Sequence, residues 1–378
     1  MIKRNLQSIL EQKLKDGKVL IILGPRQAGK TTLLRNLVKN NEVSALWWNG
    51  DETDIRALLQ DPTSTQLKKL IGSYRVLVID EAQRIENIGL VIKLIYDNIP
   101  GVKVIATGSS AFELANRIKE PLTGRKWEYF LYPLSFDEMV QHHGFLEEKR
   151  LLEQRLIYGY YPEVVTSSGN EKETLLQLAD SYLYKDILTW ENVQKPEKLE
   201  KLIQALAFQL GNEVSYLELS RLTGIDKETV ERYIMLLERA FVVFRLGAFS
   251  RNLRKELSKA RKIYFYDNGI RNAVIRNYAP LSLRQDTGAL WENFLISERM
   301  KFLQKKAWFA NSFFWRTHDR QEIDYIEERD GILYAFEFKW GEHTKAKFPA
   351  IFRKTYPENE TAVINRSNFD AFITDISS

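Results

Sequence analysis

The chain has 378 residues, a length that at roughly 100–200 residues per domain predicts two or three domains rather than one. Its 44% hydrophobic and 28% charged content is that of ordinary globular protein and excludes a disordered or collagen-like chain. Lys plus Arg number 55 and Asp plus Glu 50, a net charge of +5 that leaves only a local basic patch to speak for nucleic acid; with no cysteine, a disulfide framework, a thiol nucleophile and a zinc–thiolate site are excluded.

The first segment, MIKRNLQSILEQKLKDG, spreads charge through its apolar positions, which predicts an amphipathic helix rather than a secretory signal. No apolar run approaches the roughly 18 residues of a membrane span, so no membrane association and a cytoplasmic setting are expected. From residue 17 to about 135, short β-rich runs alternate with helical patterns: VLIIL (19–23), VSALWW (43–48), RVLVID (75–80), VKVIAT (102–107) and WEYFLY (127–132). Such alternation predicts an α/β domain with a mostly parallel sheet, placed at 1–150. His142 and His143 lie in a polar stretch and, like His318 and His343, lack metal-ligand spacing; they are expected to be solvated loop residues.

Residues 151–261 are expected to hold a helical connector, broken at Pro162 and Pro196, followed by a winged helix. Ser215 with Glu218 reads as a capping box, Gly224 as the turn and Asp226 as the cap of a second helix, with the β-rich FVVFRL next. Residues 262–378 read as a third, α/β unit. It contains a helix around LWENFLISERMKFLQKK and the strands FFWRT, EIDYI, LYAFEFKW and TAVIN.

Directly after the VLIIL strand and before a helical run stands G-x-x-x-x-G-K-[ST] in full: Gly24, Pro25, Arg26, Gln27, Ala28, Gly29, Lys30 and Thr31, with Thr32 next. The glycines let backbone N–H groups wrap a phosphate chain at a helix N-terminus, Lys30 adds a point charge and the Thr31 hydroxyl suits Mg²⁺. ATP and Mg²⁺ are the ligands this predicts. RVLVID then ends in Asp80, placed to hold the magnesium through its water shell, and Glu81, placed to orient or deprotonate an attacking water. VIATGSS reads as a strand ending in Thr107, Ser109 and Ser110. Ser109 is the favoured partner for the water or the γ-phosphate, although the same residues suit a plain Gly-Ser turn.

Together GPRQAGKTT, VLVIDEAQ, ATGSSAFEL, LTGRKWEYFLYPLSFDE, the YYPEVV turn and KIYFYDNG with GALWENFL resemble a bacterial and archaeal family of AAA-type P-loop ATPases. Its members carry an uncharacterised C-terminal domain, often related to PD-(D/E)xK nucleases. The resemblance implies a sheet with the P-loop strand central and Lys30, Thr31, Asp80 and Glu81 in the usual ATPase roles. It also implies an arginine completing the site, for which Arg125 in LTGRK is favoured over Arg117, against plain surface exposure. It supplies no biological task.

The stretch 245–262 holds Arg245, Arg251, Arg254, Lys255, Lys259, Arg261 and Lys262 against Glu256 alone. A basic wing would bind DNA phosphates without reading sequence; a solvated charged surface or a protein-docking module fits the same residues. In EIDYIEERDGILYAFEFKW, a two-residue turn at Asp330-Gly331 would set Asp324 opposite Glu337, with Glu337 and Lys339 on one face. Facing carboxylates repel unless a divalent metal or a cation neutralises them. The arrangement resembles the D…E-x-K of the PD-(D/E)xK fold, with Glu292 on the preceding helix as a further ligand, although Ile323 stands where that signature often has proline. A degenerate nuclease domain serving as scaffold or partner surface is the competing expectation. The sequence therefore predicts an ATPase acting on DNA or, alternatively, an ATP-controlled switch that binds a protein; an oligomer is compatible with either.

Overall fold

The structure, a computed structural model, describes residues 1–109, 118, 121–181, 195–251, 261–317, 319, 321–342, 344 and 346–375. It divides into two compact units, Met1–Pro133 with Arg239–Phe241 and Leu134–Glu238 with Val242–Ser378.

In the first unit β1 (Val19–Leu23), β2 (Ala45–Asn49), β3 (Val76–Asp80), β4 (Lys103–Gly108) and β5 (Lys126–Phe130) form a sheet in the order β2-β3-β4-β1-β5, every pair parallel. All five expected strands are there. β1 is buried along its whole length, as an uninterrupted VLIIL run requires when both faces of a parallel sheet are covered. The helices Asn5–Lys13 and Lys30–Asn40 bury Leu6, Leu10, Leu33, Leu34 and Leu37 with Leu20 and Ile22, each side chain stabilising by roughly 1.5–3 kcal/mol over an exposed one. The P-loop strand has neighbours on both sides but stands next to the β5 edge rather than at the centre. Because all strands run the same way, the ends of β1, β3 and β4 meet at one edge of the sheet, where ligands of such sheets sit.

The second unit has a sheet of seven strands in the order β12-β11-β10-β9-β7-β8-β6. These are β6 (Glu213–Val214), β7 (Val243–Ala248), β8 (Arg261–Phe265), β9 (Asn311–Arg316), β10 (Glu322–Arg329), β11 (Ile332–Phe338) and β12 (Asn359–Ile364). The hairpin β7–β8 and the later strands join through parallel pairing of Gly247 and Ala248 with Phe313 and Phe314, so the sheet runs across residue 262. The helices Tyr216–Thr223 and Lys227–Arg239 follow most of the expected signals: Ser215 accepts the Glu218 N–H, Gly224 is left-handed, and Asp226 accepts the Thr229 N–H, but the capping box stays half-formed because the Glu218 carboxylate accepts from Gln209 instead. Pro162 and Pro196 open the helices Pro162–Thr166 and Pro196–Phe208, where a missing N–H costs nothing.

The β10–β11 hairpin has the expected register, Tyr325 opposite Phe336 through Arg329 opposite Ile332, around Asp330 and Gly331 at positive φ. KIYFYDNG and GALWENFL carry side chains that bond buried backbone groups. The Asp267 carboxylate accepts the N–H groups of Ile270 and Tyr160 at 3.1 and 2.7 Å, and burial pushes its pKa up against those bonds. Asn293 holds both backbone groups of Phe265 and donates to Asn268, while Asn272 donates to the Leu156 and Ile157 carbonyls. A Cβ at Gly159 would lie 2.1 Å from Asp267 Oδ1, and one at Gly269 2.1 Å from the Tyr158 carbonyl, so neither position admits a side chain.

His142 and His143 are not loop residues: they end the helix Phe136–His143, and His143 Nε2 lies 2.8 Å from the buried Glu148 carboxylate, which Arg155 and Tyr160 also bind. His318 and His343 lie outside the described residues. Among the described residues no helix is long and apolar enough to cross a membrane.

Candidate nucleotide-binding site

The phosphate loop joins β1 to the helix Lys30–Asn40. A Cβ on Gly24 would meet the Leu131 carbonyl oxygen at 2.1 Å, and Gly29 has φ +94°, so both conserve the loop path only as glycine. Lys30 is buried, its Nζ donating to the carbonyls of Gly24 and Pro25 at 2.9 Å each. Desolvation lowers its pKa, opposed by the charges of Glu81 and Asp80. Ala28 is buried, Gln27 is exposed with positive φ, Arg26 is half-buried, and Thr32 is exposed in the first helical turn.

Thr31 Oγ1 donates to Asp80 Oδ2 at 2.7 Å, and Thr107 on β4 bonds the other Asp80 oxygen. A hydroxyl and a carboxylate held together at a phosphate loop are hard oxygen donors of the kind Mg²⁺ takes, so the residues fit that ion. Glu81 follows with φ +49°, its N–H on Thr107 Oγ1 at 3.2 Å. Its carboxylate accepts from the Ser109 hydroxyl at 3.0 Å and the Gln83 amide at 2.6 Å. A cleft of about 460 Å³ opens beside Thr31 and Asp80, lined also by Trp47, Trp48, Asn49, Arg35 and Lys39.

Two further residues complete the site. Arg4, in front of the first helix, donates to the Ala28 and Tyr132 carbonyls at 2.6 Å each and so ties the phosphate loop to the end of β5. Nothing in the local sequence announces it, because its partners are backbone groups far along the chain. Gln83 had a local signal, its place just after the acidic pair. Arg125 is not brought to the loop: it immediately precedes β5 at the opposite end of the sheet, where its O accepts the Val19 N–H and its side chain pairs with Asp97 at 3.1 Å. Arg117 and Ser110 lie outside the described residues.

In the second unit, Asp324 Oδ2 accepts the Phe338 N–H at 2.8 Å, which puts Asp324 beside Glu337 as the turn predicts. Lys339 Nζ lies 2.8 Å from Glu337 and 3.8 Å from Asp324. Glu292 bonds Tyr264 and, at 3.2 Å, Lys262, whose buried ammonium also pairs with Glu322. Burial pushes the Glu292 carboxyl up to about 7, with Lys262 opposing and Asp324 reinforcing. Burial and then Asp324 push Glu337 up to about 6, against Lys339. Among the described residues no group of three or more His, Asp or Glu is arranged to hold a metal ion.

The described part of the basic stretch is largely engaged within the protein. Arg245 pairs with Glu238, Arg261 with Glu231, and Lys262 is 2% exposed between its two carboxylates. Arg251 lies over Tyr356. Arg254, Lys255, Glu256 and Lys259 lie outside the described residues.

Comparison with known proteins agrees with the geometry of the first unit. Residues 16–140 match an AAA domain, residues 149–281 a domain of unknown function (DUF8612) and residues 287–377 another (DUF4143). An uncharacterized protein of Mycobacterium tuberculosis is 27% identical over 342 residues, 89% of this chain and 74% of its own. Another, from Haemophilus influenzae, is 26% identical over 374 residues, 91% of this chain and 89% of its own. Among solved structures, the Walker-type ATPase of Pyrococcus abyssi is similar with a TM-score of 0.50 at 17% identity, covering 73% of this chain and 96% of that one. The first unit thus carries an AAA domain with a P-loop ATPase fold.

Proposed function

We propose that the chain is a Mg²⁺-dependent ATP hydrolase. The observation that carries this reading is the convergence of Lys30, the Thr31–Asp80 pair and Glu81 at one sheet edge. Backbone N–H groups of the loop and Lys30 would bind the β- and γ-phosphates, and Thr31 and Asp80 would hold Mg²⁺, whose charge neutralises the phosphates. Glu81 takes a proton from water as the water oxygen attacks the γ-phosphorus and the bond to the β-phosphate oxygen breaks, giving ADP and phosphate. Phosphate release by the purified chain with and without Mg²⁺, beside its Lys30→Ala and Glu81→Gln variants, tests this; parental release by Glu81→Gln refutes the role of Glu81.

Arg125 is proposed as an arginine finger acting in the site of a second copy, since it lies at the far end of its own sheet. Arg125→Ala is then expected to lose roughly 10³–10⁵ in rate. Normal hydrolysis at every protein concentration rules the role out.

The remaining residues, read as 151–261 with a winged helix and 262–378 as a nuclease-like domain, are proposed to act on DNA in the cytoplasm. Supporting this are Asp324, Glu337 and Lys339 side by side with Glu292 near, and the cations Arg254, Lys255 and Lys259 of the basic stretch. The second reading, an ATP-controlled switch whose second unit binds a protein, is favoured by a specific observation: Lys262 and Lys339 already pair with the carboxylates. ATP turnover measured with and without duplex DNA, with the DNA then run on a gel beside Mg²⁺ and Mn²⁺ controls, separates the two. DNA stimulation or metal-dependent cutting supports the first; neither supports the second.

A further inference from the structure

We infer that Gln83 is a positioning residue that fixes the Glu81 carboxylate for water activation, an inference that rests on the ATP hydrolase reading. Gln83 sits in a single 3₁₀ turn, Ala82–Arg84, and is 2% exposed. Its Nε2 lies 2.6 Å from Glu81 Oε2 and 3.0 Å from Ser109 Oγ, and Ser109 Oγ lies 3.0 Å from the same Glu81 oxygen.

The chemistry of the three groups dictates the direction of every bond in this ring. An amide NH₂ only donates and a carboxylate only accepts, so the Ser109 hydroxyl receives from Gln83 and gives its own proton to Glu81. Glu81 Oε2 therefore accepts two bonds from buried donors. Glu81 Oε1 takes no part in the ring and is the oxygen left to receive a proton from water. The backbone is fixed as tightly: Glu81 is left-handed, its N–H is on Thr107, and a Cβ on Gly50 would fall 2.3 Å from its carbonyl oxygen.

A second observation separates this role from simple packing. Among the described residues Gln83 Oε1 is buried with no hydrogen-bond partner, a cost that a methionine of similar size would not carry. The side chain keeps its amide at that cost because the donating end is engaged with the base. Ser109 stands in the same ring as the weaker of two donors, which gives the Gly-Ser turn after β4 a function beyond turning the chain.

Gln83→Met removes the donor and keeps the volume. In the full chain it is expected to lower kcat about 10²-fold, the scale of a small misplacement of a reacting group, with the Kd for Mg-ATP unchanged. Ser109→Ala is expected to lose less, and it decides the matter if Gln83→Met does not fold. A readout free of turnover is the thermal unfolding of nucleotide-free Glu81→Gln, Gln83→Met and the double variant, whose effects are expected to be non-additive because the two groups share a hydrogen bond. The exchanged pair Glu81→Gln with Gln83→Glu keeps an amide–carboxylate bond and is expected to restore stability without turnover. A parent that hydrolyses ATP beside an unchanged Gln83→Met, or additive unfolding effects, overturns the assignment of Gln83 alone. A parent that binds Mg-ATP but never hydrolyses it overturns the ATP hydrolase reading and this inference with it.

Discussion

The candidate nucleotide site of the first unit and the acidic cluster of the second are built from similar groups held in opposite ways. At the phosphate loop, Lys30 rests on backbone carbonyls and the carboxylates of Asp80 and Glu81 rest on hydroxyls and an amide. Charges are held by neutral partners. Around β10 and β11, Lys262 is shared by Glu292 and Glu322, and Lys339 by Asp324 and Glu337. Charge there meets charge. Ions that already face counter-ions have less charge left to offer a ligand than ions held by neutral dipoles.

The largest effect that tests this contrast is in the first unit. Lys30→Ala is expected to abolish nucleotide binding, while Glu81→Gln keeps binding and loses about 10²–10⁴ in turnover; equilibrium binding and phosphate release read the two separately. Next is a buried pair of the second unit, Arg299 with Glu327, joined by bonds of 2.6 and 3.0 Å with both side chains buried. Arg299→Met alone is expected to destabilise by about 3–5 kcal/mol in denaturant unfolding, and adding Glu327→Gln is expected to recover much of it.

Smaller is the effect of Mn²⁺ on thermal unfolding. If the hairpin cluster takes metal, saturation at about 100 times Kd adds about 2.7 kcal/mol, which Asp324→Ala and Glu337→Ala remove. A parent unmoved by Mn²⁺, with variants as stable or more so, would assign the cluster to internal pairing. The smallest effect is a pH limb. Burial raises the Asp286 carboxyl, but bonds from Arg284 and Arg271 outweigh it and bring it down to about 2. A depressed carboxylate adds stability that is complete above its unfolded value and lost as pH falls towards about 2. Asp286→Asn is therefore expected to flatten stability between about pH 4 and 2.

The first unit was almost fully legible because its signals are local: continuous apolar strands, one contiguous glycine loop and an acidic strand end. The hairpin register was legible for the same reason, since Asp330-Gly331 fixes it within a few residues. Pairing of β7 with β9 was not, because it joins Gly247 to Phe313 across β8 and the helices Asn268–Val274 and Thr287–Lys306. The Lys262–Glu292–Glu322 contacts come from one strand, one helix and another strand, and a basic residue in a basic stretch gives no sign that it will be buried. KIYFYDNG and GALWENFL were visible as motifs, but the buried backbone bonds of Asp267 and Asn293 were not, because their partners Tyr160 and Phe265 lie far along the chain.

The bonds that Lys30 makes within the loop bear on the proposed exchange of nucleotide. Its buried ammonium is satisfied by the carbonyls of Gly24 and Pro25, so on the ATPase reading phosphate oxygens compete with acceptors that the loop itself supplies. A lysine without such acceptors would be a buried, orphaned charge whenever phosphate left, and that cost would hold product in place. The two carbonyls remove that penalty.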